Sequence, residues 1–262
     1  MIREVAGSLG FSLLLSMLIM LTFLPVAVSQ TWTERVRPLA GGVQIQNGRL
    51  GGLGSLGFMA YYEYTEFGIT WRVYGFVTAS HFANLTDPVY QPSIATNNYV
   101  GYVYLDPPFP RRTDSLFVYI QTVRKGTPPD PDLIAPHVLV APNTREEVYG
   151  HKSRPNMYVG EPVCKVGRST GRTCGNIVGF GNDPIRAGDV IINYYVYADY
   201  DSSGGDSGGT VYRMIATKPD YPAHLYVYGI HFGRVGNRRV FCPTDGIIDD
   251  LGVQVYTVYS GY

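Results

Sequence analysis

The stretch Gly204-Gly205-Asp206-Ser207-Gly208-Gly209-Thr210 decides how this chain is read. A serine set between paired glycines, behind a short acid, places a hydroxyl and several backbone N–H groups on one sharp turn. Glycine has no Cβ, so the main chain can bend back tightly and let a carbonyl oxygen come close. A serine hydroxyl is a weak nucleophile near neutral pH. It needs a base within hydrogen-bond reach, and a third group to orient that base. Two distant segments offer these groups. Thr78-Ala79-Ser80-His81 supplies a base, and Thr113-Asp114-Ser115-Leu116-Phe117-Val118 supplies an acid. His81 follows an apparent strand. Asp114 stands just before the apolar run Leu116–Ile120, which would hold it partly out of water. Asp87 and Asp106 are competing carboxylates, but both lie beside prolines in apparent loops. The amides of Gly205 and Ser207 would then form an oxyanion hole.

Outward from these motifs the chain reads as β. Phe58–Tyr64, Trp71–Thr78, Tyr99–Leu105, Leu116–Thr122, Val190–Tyr197 and Leu225–Phe232 are rich in Val, Ile, Tyr and Phe and bounded by Gly, Pro, Asn or Asp. Turn signals fall at Gly41-Gly42, Asn47-Gly48, Asn84–Pro88 and Asn182-Asp183-Pro184. Short strands with turns between them point to barrels or a sandwich. One helical turn is expected near the end, where Thr244 would cap a segment carrying Ile247, Ile248 and Leu251. The proline-rich run Gly126–Pro131 and Ser153-Arg154-Pro155-Asn156 bracket a segment that reads as a linker, with a strand possible over Leu133–Ala141. The expected organisation is a leader over 1–29, an N-terminal β unit over 30–125 holding His81 and Asp114, a linker over 126–155, and a C-terminal β unit over 156–262 holding Ser207. A site shared by two such units would sit in the cleft between their cores.

Arg3, the apolar run Leu13–Leu24 and the small residues Ala27 and Ser29 predict a secretory signal peptide cut before Gln30. A retained anchor is the alternative, although the run is short of the roughly 20 apolar residues a span needs. Charged residues make up 16% of the chain and the net charge is zero. Nucleic acid is therefore not the expected partner, since phosphate binding calls for a Lys/Arg excess. Cys164 and Cys174 flank a loop rich in Gly, Ser and Thr and are positioned to close it as a disulfide, leaving Cys242 over. No Cys-x-x-Cys or His pair accompanies them, so no metal site is expected.

The chain resembles the chymotrypsin-like serine proteases, and among them the prokaryotic streptogrisin and α-lytic protease group. The likeness rests on Gly75–His81, on Asp114 before its strand, on Cys164-Lys165-Val166-Gly167-Arg168-Ser169-Thr170-Gly171-Arg172-Thr173-Cys174, and on Gly204–Gly209. Weaker echoes lie at Pro38–Ile45 and Leu251–Tyr256. The resemblance implies an all-β fold of two antiparallel six-stranded β-barrels, with a short C-terminal helical turn. The triad His81, Asp114 and Ser207 would lie in the cleft and cut peptide bonds through an acyl-enzyme. It also implies that a basic residue after the first loop cysteine pairs with the acid before the serine, here Lys165 with Asp206, Arg168 being the second choice. The family's second disulfide has no partner here, because the matching region reads Asp201-Ser202-Ser203. Cys242 is expected as a buried free thiol or an inter-chain link.

Two specificity signals conflict. Asp201 stands six residues before Ser207, the spacing at which trypsin-like enzymes bind Lys or Arg. Gly229-Ile230-His231-Phe232-Gly233 resembles the pocket strand of glutamyl endopeptidases, whose histidine helps bind a substrate carboxylate. The resemblance places His231, Phe232 and Gly233 at the substrate and gives His231 that role. Arg234 beyond them could narrow the pocket or bind an acid. The expectation is a secreted, monomeric serine endopeptidase acting on polypeptides, with no cofactor, metal, nucleic acid or stable membrane association. An inactive protease-like binding module and an esterase using the same triad are the alternatives.

Overall fold

A computed structural model describes residues 31–216 and 222–261. The expected signal peptide lies outside the described residues. Strands β1 (Gln44–Asn47), β2 (Leu53–Ser55), β3 (Phe58–Glu66), β4 (Ile69–Thr78), β5 (Pro88–Tyr90), β6 (Tyr99–Leu105) and β7 (Leu116–Arg124) make the first unit. The β3–β4 hairpin turns on Phe67 and Gly68, both with positive φ (49° and 75°), a geometry that matches the right-handed twist of paired strands. Phe67 is consequently thrown into solvent, whereas Phe58–Tyr61 and Val73–Thr78 at the other end of the hairpin are buried.

The second unit contains β8 (His137–Ala141), β9 (Thr144–His151), β10 (Pro162–Gly167), β11 (Gly171–Gly181), β12 (Ile185–Ala187), β13 (Val190–Ile192), β14 (Tyr195–Ala198), β15 (Thr210–Ile215), β16 (His224–Val235) and β17 (Arg238–Pro243). The helix α1 (Thr244–Leu251) follows, and then β18 (Gln254–Val255). Pro243, not Thr244, occupies the position before the helix. The Thr244 hydroxyl donates instead to the Lys152 carbonyl at 2.9 Å. Gly252, with φ of 66°, ends the helix in the left-handed region and donates to the Ile248 carbonyl.

Closure differs between the halves. In the second sheet the order β15-β10-β11-β14-β17-β16 returns on itself through β15–β16 pairing, a closed barrel of six strands. The first sheet, ordered β18-β3-β4-β7-β6-β5-β1-β2, does not close its ladder, so the expected second barrel is not formed by hydrogen bonding. Both would-be closing edges are otherwise engaged. The Ser55 amide at the end of β2 donates to the Ser207 carbonyl at 2.9 Å, and β3 is covered by β18. That pairing also moves residues 254–255 out of the C-terminal unit assigned from sequence and onto the first sheet. The segment read as a linker carries β8 and β9, and β9 joins the second sheet by parallel pairing with β16. Val138 and Leu139 are fully buried, which gives this hairpin a reason to dock. Val190–Tyr197, read as one strand, breaks at Asn193-Tyr194 into β13 and β14.

Three apolar clusters hold this arrangement. One fills the first unit (Leu39, Ile45, Tyr74, Phe76, Val118), and one the second (Val163, Ile177, Val196, Val211, Phe241). The third spans both, joining Phe58, Val77 and Phe117 to Val166, Ile230 and Val240. Side chains of both halves buried in one cluster fix one half against the other.

Candidate active site

Antiparallel register brings His81 and Asp114 together. Thr78, the last residue of β4, pairs with Leu116, the first of β7, so the chain leaving β4 and the chain entering β7 share one end of the sheet. His81 lies in a short 3-10 turn, Ser80–Phe82. Its Nδ1 is 2.5 Å from Asp114 Oδ2, and its backbone N–H donates to Asp114 Oδ1 at 3.1 Å. Asp114 is fully buried, while the His81 side chain is 38% exposed. Burial alone would lower the His81 pKa, but the Asp114 charge and hydrogen bond outweigh it, and the value is raised. The rival carboxylates are engaged elsewhere. Asp106 accepts from the Ser80 hydroxyl and from Arg111, and Asp87 from Asn47 and the Asn84 amide. Behind the site, the Asp114 amide donates to the Cys242 sulfur at 3.3 Å, and Cys242 is a buried free thiol.

Ser207 lies in the loop between β14 and β15. This loop is stitched to β16, because Gly208 N–H donates to the His231 carbonyl and His231 N–H to the Gly209 carbonyl, both at 2.8 Å. Ser55 ties it to the other half. Its hydroxyl donates to the Gly205 carbonyl at 2.8 Å, and its own carbonyl accepts from the Thr78 hydroxyl at 2.8 Å. Gly205 and Gly208 have φ of 93° and 83°, and a Cβ at either would strike neighbours, Arg168 and Ser169 in one case and Thr78 and Ser55 in the other. Among the described residues, neither the Gly205 nor the Ser207 amide donates to a protein acceptor. The Ser207 hydroxyl donates to the Phe232 carbonyl at 3.3 Å, and no hydrogen bond joins it to His81. The Phe232 ring meets His81 edge-on, with centroids 6.0 Å apart, so base and hydroxyl flank the same residue.

Asp206 is turned inward. Lys165 Nζ lies 2.9 Å from its Oδ2, and both side chains are fully buried. The Thr170 hydroxyl and the amides of Ser169, Thr170 and Ser203 also donate to the carboxylate. Burial would raise the Asp206 pKa, but these donors and the Lys165 charge hold it below the usual carboxylate range. Arg168, the alternative partner, bonds Gln44 instead. Cys164 and Cys174 face each other across the β10–β11 pair and form a disulfide, which stiffens the hairpin carrying Lys165.

A cavity of about 370 Å³ opens beside Ser207, lined by Ser202, Ser203, His231, Gly233 and Arg239 among others. Asp201 does not line it. Its side chain is 87% exposed and lies 3.8 Å from Arg239, so the loop turns this carboxylate outward despite its spacing from Ser207. His231 is 2% exposed, with Nδ1 3.0 Å from the Tyr200 hydroxyl. Arg234 lines the cavity from an exposed position. Ser55, Tyr200 and Arg239 escaped the reading of the sequence. Each enters the site through strand pairing or a long-range hydrogen bond, and no local motif marks them. Among the described residues, no group of three or more His, Cys, Asp or Glu side chains is placed to hold a metal ion.

No protein-family model and no curated protein sequence matches the chain. Solved structures do. Protease A of Thermobifida fusca is similar at a TM-score of 0.60 and 23% identity, over 83% of this chain and 98% of that one. The chymotrypsin of Cellulomonas bogoriensis is similar at 0.59 and 22%, over 84% and 98%. A glutamic acid specific serine protease, described as using a histidine triad in substrate binding, is similar at 0.58 and 24%, over 83% and 100%. The chain has the chymotrypsin-like fold in the form taken by bacterial serine proteases. Among the described residues, no helix is long and apolar enough to cross a membrane.

Proposed function

We propose that this chain is a secreted serine endopeptidase. The observation that carries the reading is the buried Asp114 carboxylate gripping His81 at Nδ1, with Phe232 meeting both the His81 ring and the Ser207 hydroxyl, and the Gly205 and Ser207 amides unengaged. With Nδ1 donating to Asp114, the neutral imidazole presents Nε2 as an acceptor. For catalysis the Ser207 hydroxyl must leave its long contact with the Phe232 carbonyl and donate to that nitrogen. Catalytic hydrogen bonds are commonly loose before a substrate is seated.

Ser207 Oγ then attacks the carbonyl carbon of a peptide bond while His81 takes its proton. The negative charge developing on the carbonyl oxygen is met by the Gly205 and Ser207 amides, each such donor contributing about 3 kcal/mol of barrier lowering. Asp114 stabilises the imidazolium. His81 returns the proton to the departing amine, leaving an acyl group on Ser207. Water, deprotonated in turn by His81, releases the carboxylate product and restores the serine. A disulfide suits an oxidising compartment, and the leader expected over 1–29 would deliver the chain to one.

Labelling with a fluorophosphonate probe tests this reading. The wild-type protein should react at Ser207, and Ser207→Ala should fold, melt as the wild type does and take no label. Absence of labelling in the wild type, or labelling that survives in Ser207→Ala, would refute the assignment.

A further inference from the structure

The cavity beside Ser207 carries an unbalanced charge. Arg239 and Arg234 both line it, and no carboxylate does. Asp206 is committed to Lys165, and Asp201 is exposed to solvent and does not line the cavity. Arg239 Nε is buried and has no hydrogen-bond partner among the described residues. The only ion pair of this guanidinium there is the 3.8 Å approach of exposed Asp201, too long for a hydrogen bond. A guanidinium N–H buried with no acceptor is costly, and the planar fork that carries it matches a carboxylate.

The other polar groups supply donors without adding negative charge. Burial, reinforced by the Lys165 charge, lowers the His231 pKa to about 3, so this imidazole is neutral at working pH. Burial likewise keeps the Tyr200 phenol protonated, and its hydroxyl meets His231 Nδ1. With Tyr200 donating there, the ring carries its own proton on Nε2. Ser202 and Ser203 add hydroxyls at the wall.

We propose that this cavity selects an acidic side chain on the residue whose carbonyl Ser207 attacks, and that Arg239 is the cation binding its carboxylate. The inference rests on the serine-protease reading. His231 and the serines assist as neutral donors. The charge that discriminates an acid from its amide comes from β17.

The test is a set of internally quenched peptides alike except before the scissile bond, where they carry Glu, Asp, Gln, Asn, Leu or Lys. The wild type should cut after an acid about 10- to 100-fold faster in kcat/KM than after the matching amide, the range expected of a charge-assisted hydrogen bond. Arg239→Gln should bring that ratio to within about threefold of one, and Arg239→Lys should keep an intermediate ratio. A purely structural arginine would depress every substrate alike and leave the ratio untouched. Asp201→Asn, at an exposed position that tolerates change, should raise the acid-to-amide ratio a few-fold by removing a competing charge. Equal cleavage after Gln or Leu by the wild type, an unchanged ratio in Arg239→Gln, or a fall in Asp201→Asn would overturn the proposal. A chain that labels with fluorophosphonate and cuts peptides without regard to acid overturns this inference alone. One that neither labels nor cuts overturns the protease reading with it.

Discussion

The Lys165 ammonium lies 2.9 Å from the Asp206 carboxylate in a place water does not reach. This contact joins the disulfide-bonded β10–β11 hairpin to the residue just before Ser207, and so fixes the turn on which the Gly205 and Ser207 amides are displayed. A buried pair of this kind is weak evidence of net stabilisation, but removing one partner strands the other.

Lys165→Met should therefore destabilise the fold by about 3–5 kcal/mol, read from urea denaturation. Adding Asp206→Asn should recover part of the loss. A Lys165→Met protein within about 1 kcal/mol of wild type would show that the pair does not anchor the loop.

The raised His81 pKa sets the pH profile. A protonated imidazole cannot accept the Ser207 proton, so kcat/KM should be lost in acid and rise with pH. Because Asp114 favours the charged ring, the midpoint should lie above the ordinary imidazole value of about 6.5. Asp114→Asn should shift the midpoint down and cut the rate on the order of 10³–10⁴-fold. Stopped-flow or fluorogenic assays across pH 5–9 would check both, and an unmoved midpoint would count against the His81–Asp114 coupling.

The cysteines should separate cleanly in behaviour. Replacing Cys164 and Cys174 with serine should cost about 2–3 kcal/mol for a loop of this length. Cys242 is fully buried and its thiol pKa is pushed up by burial, so a thiol reagent should find no reactive group in the native, unreduced protein and one after unfolding. Rapid reaction in the native protein would contradict this.

His81, Asp114 and Ser207 could be singled out as candidates because each stands in a local pattern: a strand end, the entry to an apolar run, a glycine-flanked turn. Most strands were legible for the same reason, since Tyr99–Leu105 and Leu116–Thr122 announce themselves within their own residues. What stayed hidden depends on partners far along the chain. Nothing near Ser55 says that its amide and hydroxyl will serve the Ser207 loop and leave the first sheet open. The break at Asn193-Tyr194 carries a single polar residue between two apolar runs, too little for periodicity to mark a stop. Asp201 shows the limit most plainly, since its spacing from Ser207 sets its position along the loop but not the direction of its side chain. Arg239 reaches the cavity because β17 pairs with β16, placing Arg239 opposite Arg234, a register that emerges only on folding.

The short strand β18 leaves the second half and returns to the first. Gln254 and Val255 pair with Tyr61 and Ala60, the Gln254 side chain accepts from the Tyr61 hydroxyl, and Arg72 clasps the carbonyls of Ser260 and Gly261. The two halves are thus joined twice, by the chain running through residues 126–136 and by the β18 clasp. Two such fastenings oppose any swing of one half away from the other, so Ser207 and His81, contributed by different halves, keep one relative placement.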